Sequence, residues 1–320
     1  MRVSVVIPVY KAGEFIESAV KSALEQPETA EIILVEDGSP DDTLEICREL
    51  EKKYDKVKVF THPGNANRGA GPSRNLGIEK ASCEYIALLD ADNLFLPDRF
   101  RAERKLFAEN PDIDGVYGAL GFHYYTDGGR KKYESLGYGD LTTLSKPVKP
   151  EELFWALMAV SDAKGQFALD ALTVKKGVFD RTEKFEDIKL HDDSAFKVKL
   201  SLNCKLVPGI LDKPVGLRGV HDNNQIVNNP RGSKTRVRLY ENIYDWAVAK
   251  KLSPKQIEVI KNHLRIAEIK SSGRLKAVFL TLIASAQSSM FIKHRVFLVE
   301  GIKHILGENI VKSVSKLKSK

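Results

Sequence analysis

The spacing of apolar and polar positions changes repeatedly along the first hundred residues. Val3 to Val9 is an almost unbroken apolar run, which predicts a strand buried on both faces. Phe15, Ile16, Ala19, Val20, Ala23 and Leu24 then recur at helical spacing, and Ile32 to Val35 is a second short apolar run. The order strand, helix, strand is a βαβ unit. The alternation continues with a helix expected over 41–53, a strand over 57–60, a helix from about 72 to 81 and a strand over 85–89. Crossovers between parallel strands place helices on the sheet faces, so the pattern predicts an α/β fold: a mostly parallel, Rossmann-like sheet with helices on both faces. Ligands bind such sheets beyond the carboxyl ends of the strands.

From about Pro111 the pattern turns irregular, with Gly- and Tyr-rich stretches between Gly115 and Gly139, a helical pattern at Glu151 to Val160 and a short strand near Ala171 to Val174. Beyond about Lys234 it is helical. The expected organisation is one domain over 1–230, with a nucleotide-binding half at 1–110 and an acceptor-binding half at 111–230, followed by a C-terminal helical region at 231–320. In that region Val278, Phe279, Leu282, Ile283 and Phe291 form an apolar stripe flanked by Lys and Arg. Peripheral contact with an anionic membrane explains it, and so does core packing or self-association.

Composition narrows the class. Apolar residues are 42% and charged residues 29% of 320, as in a folded globular protein. The net charge of +7 is concentrated late, where Lys and Arg far outnumber Glu between Lys293 and Lys320, without the interleaved aromatics that stack bases. Nucleic acid is therefore not an expected partner. Met1-Arg2 runs directly into an apolar strand with no leader pattern, and the apolar stretch Ala277 to Ala286 is too short to span a bilayer. The expected location is cytoplasmic, including the inner face of the plasma membrane. Cys47, Cys83 and Cys204 have no paired spacing and read as reduced, structural residues.

The chemistry sits at the strand ends: Pro8-Val9-Tyr10, Glu36-Asp37-Gly38-Ser39 and Asp90-Ala91-Asp92. Ser39-Pro40-Asp41-Asp42 reads partly as a helix cap, which does not account for Asp37. Asp90 and Asp92 follow the apolar Tyr85 to Leu89, and in an extended backbone their carboxylates share a side. Alone, the pair fits an acidic surface turn. At the end of a parallel strand it fits a site for a hard divalent cation, Mg²⁺ or Mn²⁺, shared with a diphosphate.

Taken in order, Val3 to Tyr10, Ile33 to Ser39, Arg68 to Gly77 and Tyr85 to Asp92 resemble glycosyltransferase family 2, the GT-A fold nucleotide-diphospho-sugar transferases. Glu36 departs from the aspartate more usual in that family. The resemblance implies an inverting, metal-dependent hexosyltransferase that moves a sugar from a nucleotide-sugar, UDP in most members, to a glycan, lipid-linked or other glycoconjugate acceptor in cell-surface polysaccharide biosynthesis. It implies that Pro8 and Tyr10 line the nucleoside pocket, Asp37 accepts from the base, Arg68 contacts the base or phosphates, and Asp90 with Ala91 faces the ribose or sugar. Asp92 would bind the metal.

Phe185-Glu186 and His191-Asp192-Asp193 resemble the family's later acidic motifs, which implies Asp193 as catalytic base; Glu186-Asp187 is a competing pair. Leu217 to Asn224 resembles a loop that implies His221 as a metal ligand, with Arg218 available to a phosphate. The Gln-x-x-Arg-Trp segment of processive synthases is absent, favouring single-sugar transfer. The resemblance extends to about residue 225. A nucleotidyltransferase would need a glycine-rich basic loop after the first strand, where Pro8 to Gly13 supplies none; a non-catalytic nucleotide-sugar-binding protein would lack the base.

Overall fold

The computed structural model describes residues 1–137, 139–186, 192–224 and 233–272. The predicted βαβ start is present as β1 (Val3–Val9), α1 (Ile16–Leu24) and β2 (Thr29–Glu36), followed by α2 (Thr43–Lys53), β3 (Val57–Thr61), α3 (Ala70–Lys80) and β4 (Tyr85–Leu88). These strands pair in parallel in the order β3-β2-β1-β4. Alternate residues leave the two faces of β1 and β2. Val5, Ile7, Val9, Ile32 and Leu34 pack with Ile16, Ala19 and Val20 of α1 and Cys47 and Leu50 of α2. Val6, Ile33 and Val35 point the other way, into a core shared with Ile78 of α3. Both faces are thus covered, which is why these strands read as apolar runs and not as alternations.

The stretch that looked irregular is more regular than expected. It contains β5 (Leu94–Phe95), α4 (Arg101–Glu109), β6 (Gly115–Tyr117), β7 (Ala119–Tyr124), α5 (Asp127–Ser135), α6 (Pro150–Leu157), β8 (Leu172–Lys175), α7 (Val178–Thr182), α8 (Asp192–Asn203), β9 (Leu206–Pro208) and β10 (Pro214–Val220). β8, β6 and β9 extend the first sheet past β4, with β8 antiparallel to both of its neighbours. A second sheet of order β5-β10-β7 has β10 parallel to β7. Many of these strands are too short for periodicity to register. Their glycines are packing positions: a Cβ on Gly115 would lie 2.7 Å from Leu206 and 2.8 Å from Val174. The mostly parallel α/β sheet with helices on both faces is the observed architecture.

The chain divides into two compact units, Met1–Pro230 and Arg231–Lys320. In the second, α9 (Ser233–Ala249) and α10 (Pro254–Ser271) pack on each other, with Tyr240 stacked on His263 at 5.2 Å. Ser253 and Gln256 form a capping box at the start of α10. The apolar stripe at 275–292 and the basic terminus lie outside the described residues. Among those described, no helix is long and apolar enough to cross a membrane. All three cysteines are free and buried, and burial pushes the Cys47 and Cys204 thiols up to about 12, which suits packing rather than reactivity.

α3 lies close on the sheet at Gly77, where a Cβ would meet Val6 Cγ1 at 2.3 Å and Val35 Cγ2 at 3.2 Å. Gly77→Ala gains helix propensity of about 0.8–1 kcal/mol but overpacks a filled core, at a cost of about 1–3 kcal/mol. A net loss of stability on urea unfolding is expected; an alanine variant as stable as the parent would show that α3 lifts off the sheet without penalty.

Candidate active site

The carboxyl ends of β1, β2 and β4, the end of β10 in the second sheet, and residues of α3 and α8 make up the site, in which two carboxylates bind backbone amides. Glu36 is fully buried and accepts hydrogen bonds from Ser39 N (2.6 Å) and Gly38 N (3.1 Å), which closes the turn after β2. Gly38 sits at φ +69°, and a Cβ there would stand 2.5 Å from the Asn65 carbonyl. The Asp37 carboxylate accepts Arg68 N on one oxygen and Gly69 N on the other, both at 2.8 Å. Asn67 Nδ2 donates to its carbonyl at 2.9 Å. Asp37 therefore pins the loop that carries Arg68 and leads into α3, and Oδ2 retains a second lone pair. His62 joins this group, with Nε2 3.0 Å from Ser73 Oγ and 3.5 Å from Asp37 Oδ1.

Pro8, the last but one residue of β1, is partly buried, and Tyr10 just beyond the strand is 46% exposed. The expected cap at Ser39 serves a different purpose: its Oγ accepts the Lys11 amide at 2.9 Å and joins the first two strand ends, while Asp41 accepts from Thr43 at the start of α2.

The Asp90-Ala91-Asp92 segment is not extended, which corrects the expectation that both carboxylates share a side. β4 stops at Leu88, and Asn93 N–H donates to the Asp90 carbonyl at 2.9 Å, so residues 90–93 form a turn. The carboxylates then meet different partners. Asp90 Oδ1 accepts from Arg74 NH2 at 2.7 Å. Asp92 Oδ2 accepts from Asn224 Nδ2 at 2.9 Å and lies 3.2 Å from His221 Nε2. The two residues singled out as metal ligands are thereby together, although 129 positions separate them. The His221 ring stacks on Phe15 at 4.6 Å, and Tyr125 OH donates to the Asp92 carbonyl at 3.2 Å.

Asp193, near the start of α8, forms an ion pair with Lys197 one turn on, at 3.1 Å. Burial works to raise its carboxyl, but the charges of Lys197, Arg74 and Arg218 outweigh burial and hold it well below the usual carboxylate range. Glu186 of the competing pair is occupied by Lys199 at 2.7 Å; Asp187, His191 and the Asp192 side chain lie outside the described residues. Asn75 of α3 makes a two-way bridge to the Phe185 backbone (2.8 and 2.9 Å), and Phe185 lies under the Arg74 guanidinium.

Arg218 lies in β10 and acts through its charge on both Asp193 and Asp170. Asp170 was not apparent in the sequence, where it sits inside an apolar stretch. It is 2% exposed, and Oδ1 accepts the Asp90 amide at 2.8 Å and Asn93 Nδ2 at 2.7 Å. Burial, with the Asp90 charge adding to it, raises its carboxyl above the ordinary range. Arg74, Phe15 and His62 also escaped motif reading, because each acts through a partner distant in sequence.

Among the described residues, no group of three or more His, Cys, Asp and Glu side chains closes around an ion. The donor set at Asp92 and His221, one carboxylate and one imidazole, fits an ion that takes its remaining ligands from a diphosphate and water.

The family model described as glycosyl transferase family 2 matches residues 4–169. A Rickettsia bellii protein described as an uncharacterized glycosyltransferase is 27% identical over 274 residues, 84% of this chain and 37% of its own length. Bacillus subtilis EpsJ, described likewise, is 30% identical over 199 residues, 61% of this chain and 55% of EpsJ. The chain thus spans well under two thirds of these relatives. Among solved structures, S. aureus TarS 1-349 in complex with UDP-GlcNAc superposes with a TM-score of 0.63 at 17% identity, over 95% of this chain and 82% of that one. The mannosyltransferase PcManGT from Pyrobaculum calidifontis, in complex with GDP-Man and Mn²⁺, gives 0.52 at 17% identity, over 96% and 87%. At that identity the two structures speak to the fold, which is shared with these transferases. The family match takes in β1 to β4, the loop pinned by Asp37 and the Asp90–Asp92 turn, just over half of the chain, and on that ground the protein belongs to glycosyl transferase family 2.

Proposed function

We propose that this chain is an inverting, metal-dependent glycosyltransferase that moves a sugar from a nucleotide-sugar, a UDP-sugar by preference, to a hydroxyl of a glycan or glycoconjugate acceptor. The observation that carries this reading is the meeting of Asp92 and His221 at 3.2 Å, beside a carboxylate and two guanidinium groups at the strand ends. Asp92 and His221 would hold Mn²⁺ or Mg²⁺ together with the donor diphosphate. The bound ion supplies a counter-charge to the leaving nucleoside diphosphate.

The other roles follow from chemistry and position. Asp37, already fixed by two backbone amides, offers the remaining lone pair of Oδ2 to a base N–H, with Pro8 and Tyr10 alongside the nucleoside. Arg68 and Arg218 suit phosphate oxygens. Asp90 and Ala91 face the ribose or the sugar. Asp193 accepts the acceptor hydroxyl proton as the new O–C bond forms at the anomeric carbon and the bond to the diphosphate oxygen breaks on the opposite side, which inverts that centre. The nucleotide-sugar complexes of TarS and PcManGT support the donor class.

Isothermal titration with UDP and MnCl2 tests the ion site: Asp92→Ala should weaken metal-dependent UDP binding by at least about tenfold, and undiminished binding would remove Asp92 as ligand. Asp193→Asn should lower kcat by about 10²–10⁴-fold, with UDP affinity little changed; near-normal transfer would reject it as base. The cation beside that base has its own signature. Because Lys197 lowers the proton affinity of Asp193, Lys197→Met should move the acid limb of the kcat/KM profile to higher pH. An unmoved limb would mean that the titrating group is not Asp193.

A further inference from the structure

Asp170 lies one residue beyond the family match, and none of the roles above uses it. Its single engaged oxygen, Oδ1, takes the amide of Asp90 (2.8 Å) and Nδ2 of Asn93 (2.7 Å), the first and last residues of the turn that presents Asp92. The Asp170 carbonyl is held in turn by Arg99, whose Nε and NH2 donate at 3.2 and 3.1 Å. Arg99 is fully buried, lies against the rings of Phe95 and Phe100 and is ion-paired with Glu103, so Asp170 is anchored in rigid material. Asn93, 1% exposed, passes the connection on: its Oδ1 accepts Gly219 N–H at 2.9 Å. Gly219 sits between Arg218 and Val220 in β10, two residues before His221, and a Cβ there would stand 2.0 Å from the Asp92 carbonyl.

The charge calls for a reason beyond the hydrogen bonds. An asparagine carbonyl would accept the same two donors without placing an anion in a buried position next to Asp90, a like charge. What a carboxylate adds is attraction for Arg218, the cation whose charge acts on both Asp170 and Asp193.

We propose that Asp170 is a positioning residue that fixes the Asp90–Asn93 turn and, through Asn93 and through its charge on Arg218, aligns β10 with it, so that Asp92, His221 and Arg218 face one bound diphosphate. This rests on the reading of Asp92 and His221 as the ion-holding pair. Hydrogen exchange and UDP titration on the full chain separate the two claims. In Asp170→Ala, amide exchange should speed up in both 88–93 and 216–221 while β1 and β2 stay protected, and UDP affinity in MnCl2 should fall by about 10–100-fold. Asp170→Asn, which keeps the acceptor, should restore protection of 88–93 but retain a several-fold loss of UDP affinity, because Arg218 loses one of the two anions that act on it. Unchanged exchange in both segments of Asp170→Ala, or equal loss of protection in β1 and β2, would overturn the inference. If the alanine variant does not fold, an asparagine variant with wild-type UDP affinity would overturn it. A parent protein that binds UDP no better with MnCl2 than with a chelator contradicts the ion reading instead, and the exchange pattern still decides the role of Asp170.

Discussion

Like charges crowd the carboxyl end of the sheet, and everything built there depends on how they are balanced. Asp90, Asp170 and Asp193 come from the turn after β4, the turn before β8 and α8, and two guanidinium groups stand among them. Arg74 bonds Asp90 at 2.7 Å and acts on Asp193 through charge; Arg218 acts on Asp193 and Asp170. Removing either cation would leave partly buried carboxylates uncompensated, which is the expensive way to break such a cluster. A diphosphate accompanied by a divalent cation enters this balance with little change in net charge, whereas either alone would upset it.

The acidic residues divide by what they touch. Glu36 and Asp37 are turned onto backbone amides of neighbouring loops, and they fix the first two strand ends and the segment before α3. Asp90 and Asp193 meet side-chain cations, and Asp92 meets an imidazole and an amide that leave its other oxygen available. Glu36, where the family more often has aspartate, uses its longer side chain to reach both Gly38 N and Ser39 N.

The first sheet's leading strands were legible because β1 to β4 are buried on both faces and separated by amphipathic helices, so the apolar pattern marks their limits to within a few residues. The second sheet was not, because β5 has two residues and β7 and β10 carry glycines at close approaches. Asp92 and His221 were singled out because each lies in a segment that resembles the family, and the structure brings their side chains within 3.2 Å. Asp170 was missed because Ala168-Leu169-Asp170-Ala171-Leu172 resembles any apolar segment with one polar interruption, and only tertiary structure brings it to Asp90. The turn at 90–93 was misjudged for a related reason: strand periodicity holds to Leu88, and the hydrogen bond from Asn93 that ends it is not a propensity effect.

The central claim is that the turn after β4 presents Asp92 to a nucleotide-bound divalent cation. Anomalous diffraction from a crystal of the protein with UDP and Mn²⁺ tests it most directly. The account predicts a manganese peak within about 2.6 Å of an Asp92 carboxylate oxygen and in contact with the diphosphate; UDP bound with no manganese at Asp92, or manganese coordinated elsewhere, would contradict it.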